Sequence, residues 1–399
     1  MIKQKNVFLF FSVMCLFALT GCMKLAINNG ISFSNDDNKM TNSQSTIQTD
    51  DTSIDNVTPT YFGEKSCMRY DQLNDTQKLV YNQIFDGIEK YSNVIDISHD
   101  INEDDLEKIY DAIINTADFE LIYPTRKYDF KYDSISGSIY KISPKYDVSL
   151  DTRSNMISQV DTIADSVIAE TYGLDEFQTL KYFHDYIILN CSYDADGENC
   201  SNAYGVFIDG KAVCEGYARA FKYLCDKVGI PCELVIGNTD IEHMWNIVEI
   251  DGNWYHVDVT WDDPKNKDGD YISYSYFNLS DEQIFIDHTV NDTYTLPIAN
   301  SLDMNYFNYY NLCVGSIEEL SEVLYNQVYD ACLNDNLYVY FKADCVDTYN
   351  QIISKLCNDH QLYDVIKSAS FDADNVLNMN DISFSYDDDM LTFTINLKY

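Results

Sequence analysis

Two alternating runs meet at Asp251-Gly252, and they constrain the fold more than any other feature of the chain. Glu242 to Ile250 and Asn253 to Val259 both read as alternating runs. An Asp-Gly pair between such runs is a two-residue hairpin signal. The register then follows. Ile250 opposes Asn253, so Trp245 opposes Asp258 and His243 opposes Thr260. Opposed residues share a face, and a period of two puts His243, Trp245, His256, Asp258 and Thr260 on one side. His243 and Asp258 become diagonal neighbours with Cα atoms roughly 7–8 Å apart, within reach of an imidazole and a carboxylate.

A second element precedes the hairpin. From Cys214, the positions Ala218, Phe221, Leu224, Cys225 and Val228 repeat at helical spacing, and Gly229 and Pro231 end the run. Cys214 therefore stands at or near a helix N-terminus. The macrodipole and free N–H groups there favour a thiolate and could hold an oxyanion. Cysteine catalysis needs such a sulfur, an imidazole to take its proton, and a carboxylate to orient the imidazole. Cys214, His243 and Asp258 are the candidates for those three roles. His256 competes as base, because the register puts it on the same face. Lone His184, on an expected helix capped by Asp175, is read as a structural helix residue.

Three blocks carry a family resemblance: AVCEGYARAFKYLCDKVGIPCELVIG from Ala212, HMWNIVEIDGNWYHVDVTWDDP from His243, and YFNLSDEQ from Tyr276. Together they resemble the bacterial branch of the transglutaminase-like superfamily. The resemblance implies an α+β, papain-like core in which a cysteine-bearing helix packs on an antiparallel sheet. It also implies that Cys214 is nucleophile, His243 base and Asp258 orienting acid. Met244 departs from the pattern, since Ala is common between the His and the Trp-Asn. The implied chemistry is thiol attack on a protein or peptide amide to give an acyl-enzyme, resolved by water or by an amine. Substrate contacts are expected from Trp245 and Tyr204. The alternative is a non-catalytic surface-binding or scaffold domain on the same fold.

The N-terminus predicts where the protein works. Lys3 and Lys5 precede an apolar run from Val7 to Leu19, which is too short to span a bilayer. Leu19-Thr20-Gly21-Cys22 then resembles a lipobox, which implies cleavage before Cys22 and lipidation of its sulfur. The expected location is the extracytoplasmic face of a bacterial membrane, held there by lipid. The expected order is a leader over 1–21, a polar tether over 22–60, an N-terminal α+β region over 61–170, the cysteine-bearing domain over 171–295, and a C-terminal α/β domain over 300–399.

Charge and cysteine usage remove other classes. With 26 Lys+Arg against 65 Asp+Glu, the formal charge is −39, which repels a phosphate backbone, so no nucleic-acid partner is expected. The twelve cysteines contain no C-x-x-C pair, so no zinc site is indicated. The turns Asp194–Gly197 and Asn266–Asp270 lack the first and twelfth ligands of a calcium loop. No metal and no cofactor are expected. Cys191 and Cys200 could close a short loop.

Overall fold

The structure, a computed structural model, describes residues 2–6, 68–115, 126–264, 272–291, 294–357, 361–375, 377–379 and 382–397. The leader beyond Asn6, Cys22, the tether and the Asn266–Asp270 turn lie outside the described residues.

The chain is α+β, and its centre is a five-stranded antiparallel sheet. The strands lie in the order Phe277–Leu279, Asn253–Val257, Glu242–Ile250, Cys232–Asn238, Thr289–Val290. The Asp251-Gly252 turn has φ of 50° and 78°, both left-handed, which matches the right-handed twist of the flanking strands. The pairing Ile250↔Asn253 extends to Asn246↔Val257, the expected register. It stops there. The Asp258 N–H turns away to the carbonyl of Tyr276, and Asp258 Oδ1 accepts from the N–H groups of Thr260 and Trp261. His243 therefore has no ladder partner at Thr260, and Asp258 sits just past the strand end.

The helix Cys214–Val228 packs across this sheet. It ends in paired bonds from Gly229 N–H to Asp226 and from Ile230 N–H to Cys225, with Gly229 at φ 76°. Phe221 and Leu224 are fully buried, each contributing about 1.5–3 kcal/mol relative to exposure. Ala218 meets Leu234 and Met244, and Asn246 donates to the carbonyl of Ala218. The even-numbered positions of the central strand thus face the helix. Trp245 and Ile247 point the other way, into a core with Val235, Tyr276, Leu279, Ile284 and Met390.

Two further units flank the centre. The helices Asp75–Glu89 and Glu103–Ile114, capped by Asn74 and Asn102, pack on a sheet of order Ile2–Asn6, Lys127–Tyr132, Ile139–Lys145, Ile95–Asp96. The helix Leu150–Ala169 instead buries Val160, Ala164, Val167 and Ile168 in the central core. In the C-terminal unit the sheet order is Cys313–Val314, Tyr338–Ala343, Thr392–Asn396, Ser383–Asp387. The helices Ile317–Leu333, Val346–Cys357 and Gln361–Asp372 complete that unit. Among the described residues no helix is long and apolar enough to cross a membrane.

Candidate active site

Cys214 is the first residue of its helix, and Val213 before it supplies no side-chain cap. The first-turn N–H groups are therefore left without a competing side-chain acceptor from that position. Glu215, next in sequence, is buried and neutralised. Its Oε1 receives Arg126 at 2.6 Å and Arg219 at 3.1 Å. Arg219 also donates to the carbonyl of Ile114 and to Asn115, so the N-terminal unit fixes the cysteine helix near its active end.

His243 stands near the start of the central strand, on its Trp245 side. Its Nε2 lies 2.5 Å from Asp258 Oδ2, which leaves Nδ1 for the thiol. Burial alone would push this imidazole down. The Asp258 carboxylate and the Cys214 sulfur override burial and lift it to about 10. Asp258 shows the reciprocal effect. Burial would raise it, but His243 and then His288 hold its carboxyl well below the usual carboxylate range. At neutral pH the pair is an imidazolium and a carboxylate. The structure thus brings Cys214, His243 and Asp258 together. The body of the helix faces the other side of the strand, so the thiol meets the imidazole from the helix's first residue.

The other expected residues sort out by their partners. His256 Nδ1 accepts the Trp245 indole N–H at 3.0 Å, and Nε2 faces Asp281 Oδ1 at 3.0 Å. Burial outweighs Asp281 and lowers its pKa, so His256 is a neutral ring with both nitrogens engaged and is not a base. His184 is fully buried between Asp185 and Asp262, at 3.0 and 3.2 Å. It pins the helix Glu176–Asn190 to the turn that follows Asp258, a structural role as expected. Tyr204 is not part of the cluster: its hydroxyl bonds to Gln159 on the helix Leu150–Ala169. Trp245 is buried and stacks beside His243 at 6.0 Å between ring centroids, so it walls the site instead of presenting a surface.

Two residues escaped the sequence reading. Trp261, 38% exposed, lies 6.1 Å from His243 and is the aromatic ring that meets solvent beside it. His288 places Nε2 3.1 Å from Asp258 Oδ2. The ligand atoms of His243, Asp258 and His288 lie within 4.8 Å of one another, the spacing of a metal cluster. The hydrogen bonds at 2.5 and 3.1 Å already satisfy those atoms, so as it stands the cluster is a proton-linked chain. Cys191 and Cys200 remain separate thiols, bonded to the carbonyls of Ser192 and Ala195. Asp194 Oδ1 accepts from Asp196 N–H, closing a turn.

Residues 163–259 match the family model of the transglutaminase-like superfamily, and this span contains Cys214, His243 and Asp258. This segment is a transglutaminase-like domain. Kyphoscoliosis peptidase of Mus musculus and that of Homo sapiens are each 33% identical over 64 residues, 13% of this chain and 10% of theirs. The chain thus spans about a tenth of the length of the curated relatives it matches. A crystal structure of a TGase is 17% identical, with 36% of this chain and 46% of that chain covered and a TM-score of 0.26. The periplasmic domain of TgpA from Pseudomonas aeruginosa, bound to ethylmercury, is 13% identical, with 34% and 71% covered and a TM-score of 0.21. The transglutaminase-like domain begins, in the family match, within the helix Leu150–Ala169, whose buried face belongs to the same core as the cysteine helix.

Proposed function

We propose that the protein is a cysteine acyl-transfer enzyme acting on protein or peptide amides, lipid-anchored through Cys22 outside the cytoplasm. The observation that carries the reading is the 2.5 Å bond from His243 to Asp258, with the Cys214 sulfur as the imidazole's other neighbour. In this reading the Cys214 thiolate attacks the amide carbon. First-turn N–H groups of its helix hold the developing oxyanion. The C–N bond breaks as His243 gives its proton to the leaving amine, leaving a thioester on Cys214. Water or a second amine then attacks the thioester and releases the Cys214 thiolate, while His243 takes up the nucleophile's proton and the starting ion pair is restored. Asp258 stays ionised and keeps Nδ1 of His243 aimed at sulfur.

Support for the anchor is sequence-based: Lys3 and Lys5, the apolar run after them, and Leu19 to Cys22. Cleavage before Cys22 would remove the edge strand Ile2–Asn6 and leave the strands at 127–132, 139–145 and 95–96 paired.

A non-catalytic binding domain is the second reading, and one observation favours it: Cys214 is 3% and His243 5% exposed. An enzyme must open this site to admit an amide. The deciding experiment incubates the protein and a Cys214→Ala control with a glutamine-rich protein and a labelled primary amine. Cys214-dependent incorporation, ammonia release or cleavage supports the enzyme. No product of any kind, together with equal alkylation of Cys214 and Cys225 in the native protein, would overturn it.

A further inference from the structure

Asp258 faces two imidazoles. His243 Nε2 meets its Oδ2 at 2.5 Å, and His288 Nε2 meets the same oxygen at 3.1 Å. The remaining nitrogen of His288 bonds to Asp287 Oδ1, and the Tyr276 hydroxyl donates to Asp287 Oδ2 at 2.5 Å. A neutral imidazole donates from one nitrogen only. A ring with a carboxylate at each nitrogen is therefore placed to carry the charge. Three aromatic rings surround it, Trp261 at 4.6 Å, Trp245 at 5.0 Å and Tyr276 at 5.7 Å between centroids, and such rings attract a cation. Burial opposes a charged His288, but Asp258 and Asp287 prevail and its pKa is raised.

The backbone holds this ring in place. His288 N–H bonds to the carbonyl of Ile284, and the next residues, Thr289 and Val290, pair with Asn238 and Gly237 at the sheet edge. The ring is thus anchored by an element that carries no part of Cys214, His243 or Asp258.

We propose that His288 is a positioning residue of the site, which holds the Asp258 carboxylate by a second hydrogen bond and shares its charge with His243. The proposal rests on the acyl-transfer reading of Cys214. Its consequence has a definite sign. Removing His288 takes a donor from Asp258, which makes that carboxylate a better partner for His243. It also removes a like charge 5.4 Å from the His243 ring. Both changes favour the His243 imidazolium, so His288 tempers it and readies its proton for the leaving amine. The other groups around His288 are Asp287, Tyr276 acting through Asp287, and His256 beyond the Trp245 ring, which is neutral.

The test is alkylation of Cys214 in the full chain by iodoacetate, an anion drawn by imidazolium, followed from pH 6 to 11. Wild type should show a rate that falls through about pH 10 as His243 loses its proton. His288→Gln should move that fall upward by on the order of one pH unit, and His243→Ala should abolish it. A His288→Gln profile that superimposes on wild type, while His243→Ala flattens, overturns the role of His288 and leaves the acyl-transfer reading intact. A His243→Ala profile identical to wild type sinks both. If His288→Gln does not fold, nitrogen NMR of the wild-type histidine rings decides: an imidazolium His288 at pH 7 supports the proposal, and a neutral tautomer overturns it.

Discussion

The Arg219 guanidinium leaves the cysteine helix and donates to Asn115 Oδ1 at 2.9 Å, joining the thiol-bearing element to the N-terminal unit. The same side chain neutralises Glu215, and both are fully buried. Removing Arg219 leaves the buried Glu215 carboxylate to Arg126 alone and takes the donor from the Ile114 carbonyl and Asn115 Oδ1. Arg219→Ala should therefore cost about 1–3 kcal/mol. Glu215→Gln combined with Arg219→Met, which removes the half-paired buried carboxylate, should recover part of it. Urea unfolding midpoints of the three proteins check this.

Asp258→Asn keeps the shape of the side chain but removes the charge that fixes His243. Turnover of the amide substrate found by the amine-incorporation assay should fall about 10²–10⁴-fold. KM should change much less, because Asp258 is buried behind the imidazole. Steady-state kinetics on both proteins read this out. Equal kcat would remove Asp258 from the mechanism.

The His243–Asp258 pair should also set how stability follows pH. His243 is lifted from an ordinary 6.5 to about 10, so its stabilisation is complete below pH 6.5 and is lost as pH rises through about 10. Asp258 is depressed below an ordinary 3.8, so its stabilisation is present above that pH and is lost as pH falls further. The stability gap between wild type and His243→Gln should therefore be widest near pH 6 and should close toward pH 11. Denaturation curves of both proteins at pH 6, 8, 10 and 11 measure the gap.

Gly216 lies in the first turn after Cys214, where a Cβ would sit 2.5 Å from the carbonyl oxygen of Cys200 and 2.7 Å from the Ala212 side chain. That carbonyl accepts the N–H of Val213, so moving it disturbs the residue immediately before the nucleophile. Gly216→Ala should cost about 1–3 kcal/mol through overpacking and slow Cys214 alkylation more than Cys225 alkylation. Calorimetry and mass spectrometry of labelled peptides separate the two effects.

Cys22→Ser should abolish incorporation of a labelled fatty acid and shift the protein from the membrane pellet to the supernatant of lysed cells. Unchanged pelleting by the Ser variant would reject the lipid anchor.

The residues legible in the sequence are those whose neighbours are local. Asp251-Gly252 fixed the hairpin register because two consecutive left-handed residues admit one twist, and His243 and Asp258 followed from counting. The helix at Cys214 declared itself through its apolar spacing and Gly229. His288 gave no such signal. It reaches Asp258 only because Thr289–Val290 adds to the far edge of the sheet beside Cys232–Asn238, a pairing set by tertiary packing. Trp261 was likewise invisible, because its place depends on the turn in which Asp258 caps Thr260 and Trp261 after leaving the ladder. Tyr204 stands ten residues before Cys214, yet its hydroxyl goes to Gln159, because it opens the π-helical turn Gly205–Asp209, which packs against the helix Leu150–Ala169.

Met390 belongs by sequence to the C-terminal hairpin, yet it is buried against Trp245 and Tyr276, while Thr392 shares a hydroxyl bond with Ser275. A chain stopped at residue 310 would therefore open a void behind the indole that flanks His243. Met390, carried on the C-terminal unit, is thus a plug in the rear wall of the thiol centre.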